Sequence, residues 1–374
     1  MAIKFRAEKK ILTEILIPAA AATSNKHTLA QLEGILLVLQ GNTLAACGYD
    51  LEKGIRTEGE VIGVTDGSVI ISASTFLAVI RSMPDGDITV TADDSNTVKI
   101  ESGMSKFTLH GLSGDTYPNL PELAGDKGFT VKSSVLKKII NATYFAVAKT
   151  EARPILMGEY FRIKNGELTV VALDNFRLAL RREKDAVVGE TNLSFVVPGK
   201  SLYDFSRFLT DGDETVKVEI TAKHIIMSIG NITFFSRLLE GEYADYDRAI
   251  PKSNKTFVRV MTAELVSAVE RATLIIDPKI KTPLKCLFTD GTLNITCTTQ
   301  AGTINENINI DKEGADIEIG FNNQYLLDAL RACGEESIKA SLSTPLMSMI
   351  LTDGSENFDD SSFLYLVLPY RLNK

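Results

Sequence analysis

The sequence predicts an α+β protein made of three repeated domains, each with two helices packed on antiparallel sheets. The chain has 374 residues, a length that suits two or three domains. Similar short stretches recur along it at intervals of roughly 125 residues. Each interval contains runs of strand-like sequence and only two helical segments, which is typical of sheets with helices on one face.

Equivalent positions in the three copies mark the repeat. The stretches RSMPDGDITV, RFLTDGDETV and RACGEESIKA each close a helical segment and lead into a strand. The marker positions are Gly86, Gly212 and Gly334; Leu44, Leu168 and Leu293; and Tyr117 and Tyr243. Successive members of each set are 122 to 126 residues apart. A period this long indicates repeated domains and not a solenoid.

Each repeat is predicted to open with a helix and to contain a second one further on. Helical periodicity falls at 6–22, 74–83, 132–149, 199–209, 262–275 and 322–333. Ser133 and Thr262 are predicted N-caps of the third and fifth helices. The strands between them are rich in Val, Ile, Leu and Thr, with turns at Asn42, Gly166 and Gly291. The linker-like stretches AGDKGF and PKSNKT predict domains at 1–127, 128–253 and 254–374.

Composition places the chain among ordinary globular proteins, with 44% hydrophobic and 24% charged residues. Its net charge is −8, it has no Trp, and its four cysteines form no CxxC pair, so we expect them to be buried. The N-terminal stretch has acidic residues and a proline where a signal peptide would be apolar, and we interpret it as an amphipathic helix. No apolar run is long enough to cross a membrane, and we predict a cytoplasmic protein.

Positive charge is concentrated in the predicted helices. The six windows carry a formal charge of +6, which leaves −14 on the rest of the chain. In the third window Ser134, Lys137, Lys138 and Asn141 share one helix face. Such a face attracts phosphate without reading bases, although an ordinary solvated face explains the same pattern.

Recognisable catalytic motifs are missing from the sequence, which contains no GxxxxGK[ST], GxGxxG, HExxH or GxSxG. Acidic pairs at Asp85/Asp87, Asp93/Asp94, Asp211/Asp213 and Asp359/Asp360 fit a metal-dependent nucleic-acid enzyme, but Asp and Gly are also ordinary turn residues. We therefore favour a binding or scaffolding protein with no catalytic residue, metal or cofactor. The alternatives are that enzyme and a protein-interaction hub without a DNA role.

Seven stretches in family order resemble the bacterial DNA polymerase III beta subunit, the replicative sliding clamp. They are YDLEKGIRTEGEV, DTYPNLPEL, ALDNFRLAL, VVPGK, EYADYDRAIPK, FNNQYLLDALRA and LVLPYRL. The resemblance implies clamp domains that assemble as a head-to-tail homodimeric ring around duplex DNA, with helices lining the hole. It also implies a processivity factor that tethers DNA polymerase III, is opened by a separate clamp loader, and has no enzymatic activity.

The resemblance also explains why the chain ends on the apolar stretch SSFLYLVLPYRLNK, which otherwise suits a plain edge strand. In the family this strand helps to form a hydrophobic pocket for a short partner peptide. The implied pocket residues are Leu156, Leu173, Asn175, Phe176, Arg177, Leu178, Ala244, Arg248, Ala249, Leu366, Leu368, Pro369, Tyr370, Arg371 and Leu372. Apolar members would accept a Leu or Phe anchor, and the arginines would lie at the rim. Asn175-Phe176, Ala244 and Tyr370 depart from the usual Gly-His, Pro and Met.

Two further sets of residues follow from the same resemblance. The implied DNA-binding residues are Lys26, Arg81, Lys137, Lys138, Arg153, Lys200 and Arg207. The implied dimer-interface residues are Phe107 from the first domain with Leu274 and Ile275 from the third.

Overall fold

The computed structural model describes residues 2–24, 29–150, 153–189, 192–277, 279–280 and 282–372. The chain forms two compact units. Unit 1 comprises Met1–Ser133 and Arg207–Leu238, and unit 2 comprises Ser134–Ser206 and Leu239–Lys374. The units do not coincide with the three sequence repeats, because the middle of the chain contributes to both.

Helices and strands alternate along the chain in the predicted manner. The helices are α1 Lys9–Ala21, α2 Ala73–Ser82, α3 Ser133–Thr143, α4 Gly199–Ser206, α5 Thr262–Thr273 and α6 Asn323–Cys333. The first strands are β1 Ile3–Glu8, β2 Gly34–Gln40, β3 Thr43–Tyr49, β4 Lys53–Glu60, β5 Ile62–Thr65, β6 Gly67–Ser72, β7 Asp87–Ala92, β8 Thr97–Ser102, β9 Ser105–His110, β10 Leu112–Ser113, β11 Lys127–Lys132, β12 Gly158–Lys164, β13 Glu167–Leu173 and β14 Arg177–Glu183. The remaining strands are β15 Val187–Gly189, β16 Asn192–Pro198, β17 Thr215–Ile220, β18 His224–Ile229, β19 Ile232–Arg237, β20 Thr256–Met261, β21 Leu284–Thr289, β22 Thr292–Thr299, β23 Gly302–Asn309, β24 Asp311–Glu313, β25 Ile317–Phe321, β26 Ser337–Leu342, β27 Met349–Thr352 and β28 Phe363–Val367.

Unit 1 contains two antiparallel sheets and the helices α1 and α2. One sheet has the strand order β5-β1-β7-β8-β9, and the other runs β10-β6-β2-β3-β4-β19-β18-β17-β11. Leu12 and Leu16 of α1 and Phe76 of α2 are fully buried in one apolar core with Phe5 and Leu37 of the two sheets. Burial of these alternating and helix-spaced apolar side chains holds the layers together.

Unit 2 repeats this layered arrangement. Its first sheet has the order β16-β12-β13-β14-β28-β27-β26-β20-β24, and its second has the order β23-β22-β21-β25. Val269 of α5 and Leu330 of α6 are buried with Val258, Ile295 and Ile319 of the two sheets. The C-terminal strand β28 lies in the middle of the first sheet, between β14 and β27. The apolar C-terminal strand is therefore a central strand and not an edge strand.

The structure confirms the α+β class and all six predicted helices, and it corrects their ends. Residues 6–8 belong to strand β1, in which alternate side chains are buried, and they are not part of the first helix. Lys132 ends strand β11, and the third helix stops at Thr143, before a 3-10 turn at Tyr144–Ala146. Turns at 41–42, 165–166 and 290–291 join the predicted hairpins.

The two predicted N-caps are wrong. The Ser133 hydroxyl accepts the backbone N–H of Thr210 at 2.9 Å, so it links to another segment and not to its own helix. Thr262 is the first residue of α5, and its buried hydroxyl has no hydrogen-bond partner among the described residues. A side-chain cap is present at α6, where Asn322 accepts the backbone N–H of Tyr325 at 3.1 Å.

The predicted burial of the four cysteines is confirmed. Cys47, Cys286, Cys297 and Cys333 are all free and buried. Burial raises the pKa of the Cys47 and Cys286 thiols to about 12, which keeps both protonated at neutral pH. Across the described ranges, no helix is both long and apolar enough to span a bilayer.

Candidate binding surfaces

The pairing of β14 with β28 brings predicted pocket residues together from distant parts of the chain. Leu178 lies opposite Leu366 in this antiparallel pair. Both side chains are buried in one apolar cluster, against which Leu173 packs. The backbone N–H of Leu368 donates to the carbonyl oxygen of Phe176 at 2.8 Å, which joins the end of β28 to the turn before β14. Unit 2 thus contains an apolar cluster of Leu173, Leu178 and Leu366, here called the apolar patch, which is bordered by the turn before β14.

The turn before β14 is held by an aspartate that the sequence analysis missed. The Asp174 carboxylate accepts the backbone N–H groups of Phe176 at 2.7 Å and Arg177 at 3.0 Å. This Asx turn holds Phe176 outward, where its side chain is 50% exposed. The Phe176 ring stacks on Tyr325 of α6, with ring centroids 5.5 Å apart. Two stacked aromatic rings, those of Phe176 and Tyr325, therefore lie at the position where the family usually has Gly-His.

Arg177 corrects the expectation that the pocket arginines lie at the rim. It is only 5% exposed, and its guanidinium forms ion pairs with Asp174 at 3.2 Å and Asp328 at 2.7 Å. The same group lies over the Tyr325 ring, 4.7 Å from the centroid. A buried arginine that pairs with two carboxylates and lies against an aromatic ring has a structural role, because its charge is already compensated by these neighbours. Its role here is to position the Phe176 turn.

A second wall of the patch comes from the segment after β19. The Tyr243 hydroxyl donates to the carbonyl oxygen of Val171 at 3.3 Å, and burial raises the pKa of this tyrosine. Ala244 is half-buried, whereas Arg248 and Ala249 are exposed on a 3-10 turn at Tyr246–Ala249. Leu156 is fully buried.

The last predicted pocket residues lie along a different strand. The backbone N–H of Tyr370 donates to the carbonyl oxygen of Gly320 in β25 at 2.7 Å. A cavity of about 1210 Å³ lies beside β25 and is lined by Tyr370, Arg371 and Leu372 together with 315–320 and 343–346. None of the other twelve predicted pocket residues lines this cavity. Pro369 lies between the two regions, so the tail passes from the apolar patch to the β25 cavity.

The predicted DNA-binding residues are mostly exposed. Lys26 lies outside the described residues. Arg81 is in the last turn of α2, and the exposed members of the set are Arg81, Lys138, Arg153, Lys200 and Arg207. Lys137 is half-buried, and Lys138 forms an ion pair with Glu183 at 3.2 Å. Within their observed bounds the six helices contain eight basic and five acidic residues, a net charge of +3 and not the predicted +6.

Of the predicted interface residues, Phe107 lies on an edge strand of unit 1, whereas Leu274 and Ile275 follow helix α5 in unit 2. Phe107 is partly exposed on β9, the last strand of its sheet, and β23 occupies the same position in the second sheet of unit 2. Leu274 follows α5 and is 84% exposed, an unusual position for a leucine. Ile275 is partly buried against the unit 2 core.

The acidic pairs form turns and ion pairs. Asp85 pairs with Lys9 at 3.2 Å, Asp213 pairs with Lys132 at 3.1 Å, and Asp93 accepts hydrogen bonds within its own turn. No group of three or more His, Cys, Asp or Glu side chains in the described part of the chain is arranged to hold a metal ion. The turn interpretation accounts for these residues.

A repeated α+β architecture of helices packed on antiparallel sheets, with an apolar cluster where β14 pairs with β28, is that of a clamp-type scaffold. Models of the DNA polymerase III beta subunit match residues 3–121 with its N-terminal domain, 130–245 with its central domain and 247–371 with its C-terminal domain. The chain belongs to this family, the bacterial beta sliding clamps, which are non-catalytic processivity factors. The metal-dependent enzyme is not supported.

Individual relatives agree along the whole chain. The beta sliding clamp of Bacillus subtilis strain 168 is 30% identical over 380 residues, covering 99% of this chain and 100% of the relative. That of Halalkalibacterium halodurans is 32% identical over 383 residues, covering 98% and 99%. The crystal structure of the Bacillus subtilis DNA polymerase sliding clamp has a TM-score of 0.95 at 28% identity and covers all of both chains. A putative DNA polymerase III beta subunit from Eubacterium rectale has a TM-score of 0.93 at 31% identity, covering 99% of this chain and 100% of that one.

Proposed function

We propose that two copies of this chain form a head-to-tail ring around duplex DNA and hold partner proteins through the apolar patch of unit 2. The partners are DNA polymerase III, clamp-loader subunits and other proteins that carry a short clamp-binding peptide. The protein acts in the cytoplasm. Its domains are 1–127, 128–253 and 254–374, with the helices of each domain turned toward the DNA.

The joined strands β14 and β28 are the observation that carries this proposal. Leu173, Leu178 and Leu366 share a cluster, and the exposed Phe176 and Leu368 stand at its border. Burying one leucine or phenylalanine side chain of a peptide against this patch is worth about 1.5–3 kcal/mol. Arg248 and Arg371 supply charge near a peptide backbone or an acidic flank.

Free sheet edges support the head-to-tail assembly. Strand β9 of unit 1 and strand β23 of unit 2 each end their sheets in the described part of the chain. An unpaired edge strand offers backbone groups to another chain. In the proposed ring β9 of one copy pairs with β23 of the next, and Phe107 meets Leu274 and Ile275. Each copy then uses both edges, which closes the ring with two interfaces.

Sequence-independent contact with DNA is supported by the exposed lysines and arginines of the helical segments. Lys200 lies on α4, and Arg153 precedes a 3-10 turn at Pro154–Met157. Such groups meet phosphates and do not distinguish bases, which suits a protein that slides.

Retention on closed DNA tests the proposal. The protein is loaded with a bacterial clamp loader and ATP on nicked circular plasmid, and bound protein is separated by gel filtration at high salt. We expect it to stay on the circle and to leave after the plasmid is linearised. Equal retention on circular and linear DNA contradicts encirclement, and no association with either DNA at low or at high salt favours the interaction hub.

A further inference from the structure

Unit 1 contains the same turn and strand pairing that frame the peptide patch of unit 2. The Asp50 carboxylate accepts the backbone N–H groups of Glu52 at 3.0 Å and Lys53 at 2.8 Å, as Asp174 does for Phe176 and Arg177. The backbone N–H of Arg237 donates to the carbonyl oxygen of Glu52 at 2.8 Å, as that of Leu368 does to Phe176.

The strand register gives a one-to-one correspondence between the two frames. In unit 1 Gly54 lies opposite Phe235, at the position where unit 2 has Leu178 opposite Leu366. The Tyr117 hydroxyl donates to the carbonyl oxygen of Cys47 at 3.3 Å, and this matches the bond from Tyr243 to Val171. Unit 1 therefore holds a structural counterpart of the patch, made by β4, β19 and the segment after Tyr117.

Two positions of the unit 1 counterpart carry larger side chains than the matching positions of unit 2. Tyr49 stands where unit 2 has Leu173, and Leu123, six residues after Tyr117, stands where unit 2 has Ala249. The Phe235 ring is fully buried, with its centroid 5.5 Å from that of Tyr49. A Cβ built on Gly54 would come within 2.1 Å of the Phe235 ring, so only glycine leaves room for it. Leu123 packs against the same cluster.

We propose that unit 1 carries a filled copy of the peptide site, in which Tyr49 and Leu123 take the space that unit 2 leaves for a partner's apolar side chains. Each protomer therefore presents one peptide site although its architecture repeats the frame twice. This inference rests on the proposed function of unit 2. The latent site would take the same ligand class, a short peptide with a leucine or phenylalanine anchor.

Reciprocal exchange of the filling residues tests this proposal. The probe is a fluorescein-labelled hexapeptide whose two apolar side chains are Leu and Phe, measured by anisotropy and by titration calorimetry for stoichiometry. The closed variant Leu173→Tyr/Ala249→Leu copies the unit 1 filling into unit 2, and we expect it to lose peptide affinity at least tenfold. The opened variant Tyr49→Leu/Leu123→Ala copies unit 2 into unit 1, and we expect its stoichiometry to rise from one to two peptides per protomer. Circular dichroism and thermal melting verify that each variant folds.

The outcomes separate this inference from the proposed function. A wild-type protein with two equivalent sites, or a folded closed variant that keeps wild-type affinity, overturns the inference. Wild-type protein that does not bind the probe contradicts the proposed function instead. The opened variant can then still be tested with the apolar dye ANS, because the fluorescence of ANS increases when the dye enters an opened apolar pocket. No gain of either ligand in that variant overturns the filled-site proposal.

Discussion

The backbone N–H of Tyr370 donates to the carbonyl oxygen of Gly320 at 2.7 Å, and this bond attaches the C-terminal tail to the edge of β25. The contact is close because Gly320 has no side chain. A Cβ there would lie 2.5 Å from the Tyr370 carbonyl oxygen and 2.8 Å from Leu372 Cδ2. The position of the tail therefore depends on this glycine.

Replacing Gly320 by alanine is expected to displace the tail and weaken peptide binding about fivefold, the equivalent of about 1 kcal/mol for one lost hydrogen bond. Fluorescence anisotropy with a labelled Leu-Phe peptide measures the effect. Gly212→Ala is the matched control, because its Cβ would meet only the Thr210 hydroxyl oxygen, at 3.5 Å. Wild-type affinity in Gly320→Ala would show that the tail does not shape the site.

Leu274→Lys is expected to convert the dimer to monomers without lowering the melting temperature. Leu274 is exposed within one chain, so the lysine costs nothing in the monomer but places a charge in the proposed apolar contact between copies. Analytical ultracentrifugation at micromolar concentration reads out the mass. Leu346→Lys, at another exposed leucine, serves as control and should remain dimeric. A fully dimeric Leu274→Lys refutes the interface assignment, as would a dimeric Ile275→Glu.

Lys200→Ala is expected to weaken DNA binding and reduce the magnitude of the salt slope, the change in log K per log salt concentration, by about 1. The lysine is exposed on α4. Lys138→Ala should have a smaller effect because its ammonium group pairs with Glu183. Lys217→Ala, in an ion pair with Glu219 on strand β17, is the charge-matched control. An unchanged slope in Lys200→Ala would remove this residue from the DNA contact.

Because of Glu159, we expect the folded protein to lose stability as the pH rises. Its carboxyl group is buried on β12, Thr143 donates one hydrogen bond to it, and its Oε1 has no partner among the described residues. Burial raises its pKa from 4.5 to about 8. The folded protein therefore holds this proton more tightly than the unfolded chain, and the free energy of unfolding falls between about pH 4.5 and 8.

Glu159→Gln keeps the shape of the side chain and removes the ionisation. We expect it to raise the melting temperature more at pH 8 than at pH 5, because the wild-type decline amounts to at most about 1.4 kcal/mol per pH unit. Thermal melts of both proteins across this range measure the difference. Glu264→Gln, at an exposed position in the first turn of α5, should leave the pH profile unchanged. Parallel profiles for wild type and Glu159→Gln would contradict the prediction.

Repeat spacing and periodicity were sufficient to predict the α+β class and the six helices, but they did not locate every boundary. Residues 3–8 alternate between buried and exposed and run directly into α1 at Lys9. No turn separates the strand from the helix. The predicted helix therefore begins too early, at residue 6, and includes the last three residues of the strand. Ser133 looks like a cap in sequence, yet its hydroxyl bonds to Thr210, a tertiary contact that local propensity does not encode.

The pocket residues came from resemblance and not from a pattern in the chain. Leu178 and Leu366 are far apart in sequence, and only the pairing of β14 with β28 makes them neighbours. Asp328 and Tyr325, which hold Arg177 in place, lie in the stretch FNNQYLLDALRA, but their contact with Arg177 depends on where α6 packs. The corrected helix charge has a similar cause, since shorter helices exclude several basic residues at their ends.

The pairing of β4 with β19 determines which fragments of the protein can fold on their own. A fragment ending at residue 127 would keep β4 but lose β19, leaving a strand that is internal in the native sheet with an open hydrogen-bonding edge. Such fragments tend to self-associate edge to edge, so an isolated first repeat would aggregate although its own core of α1, α2 and sheet is intact. The pieces able to stand alone are set by which strands share a sheet, and these pieces do not coincide with the sequence repeats.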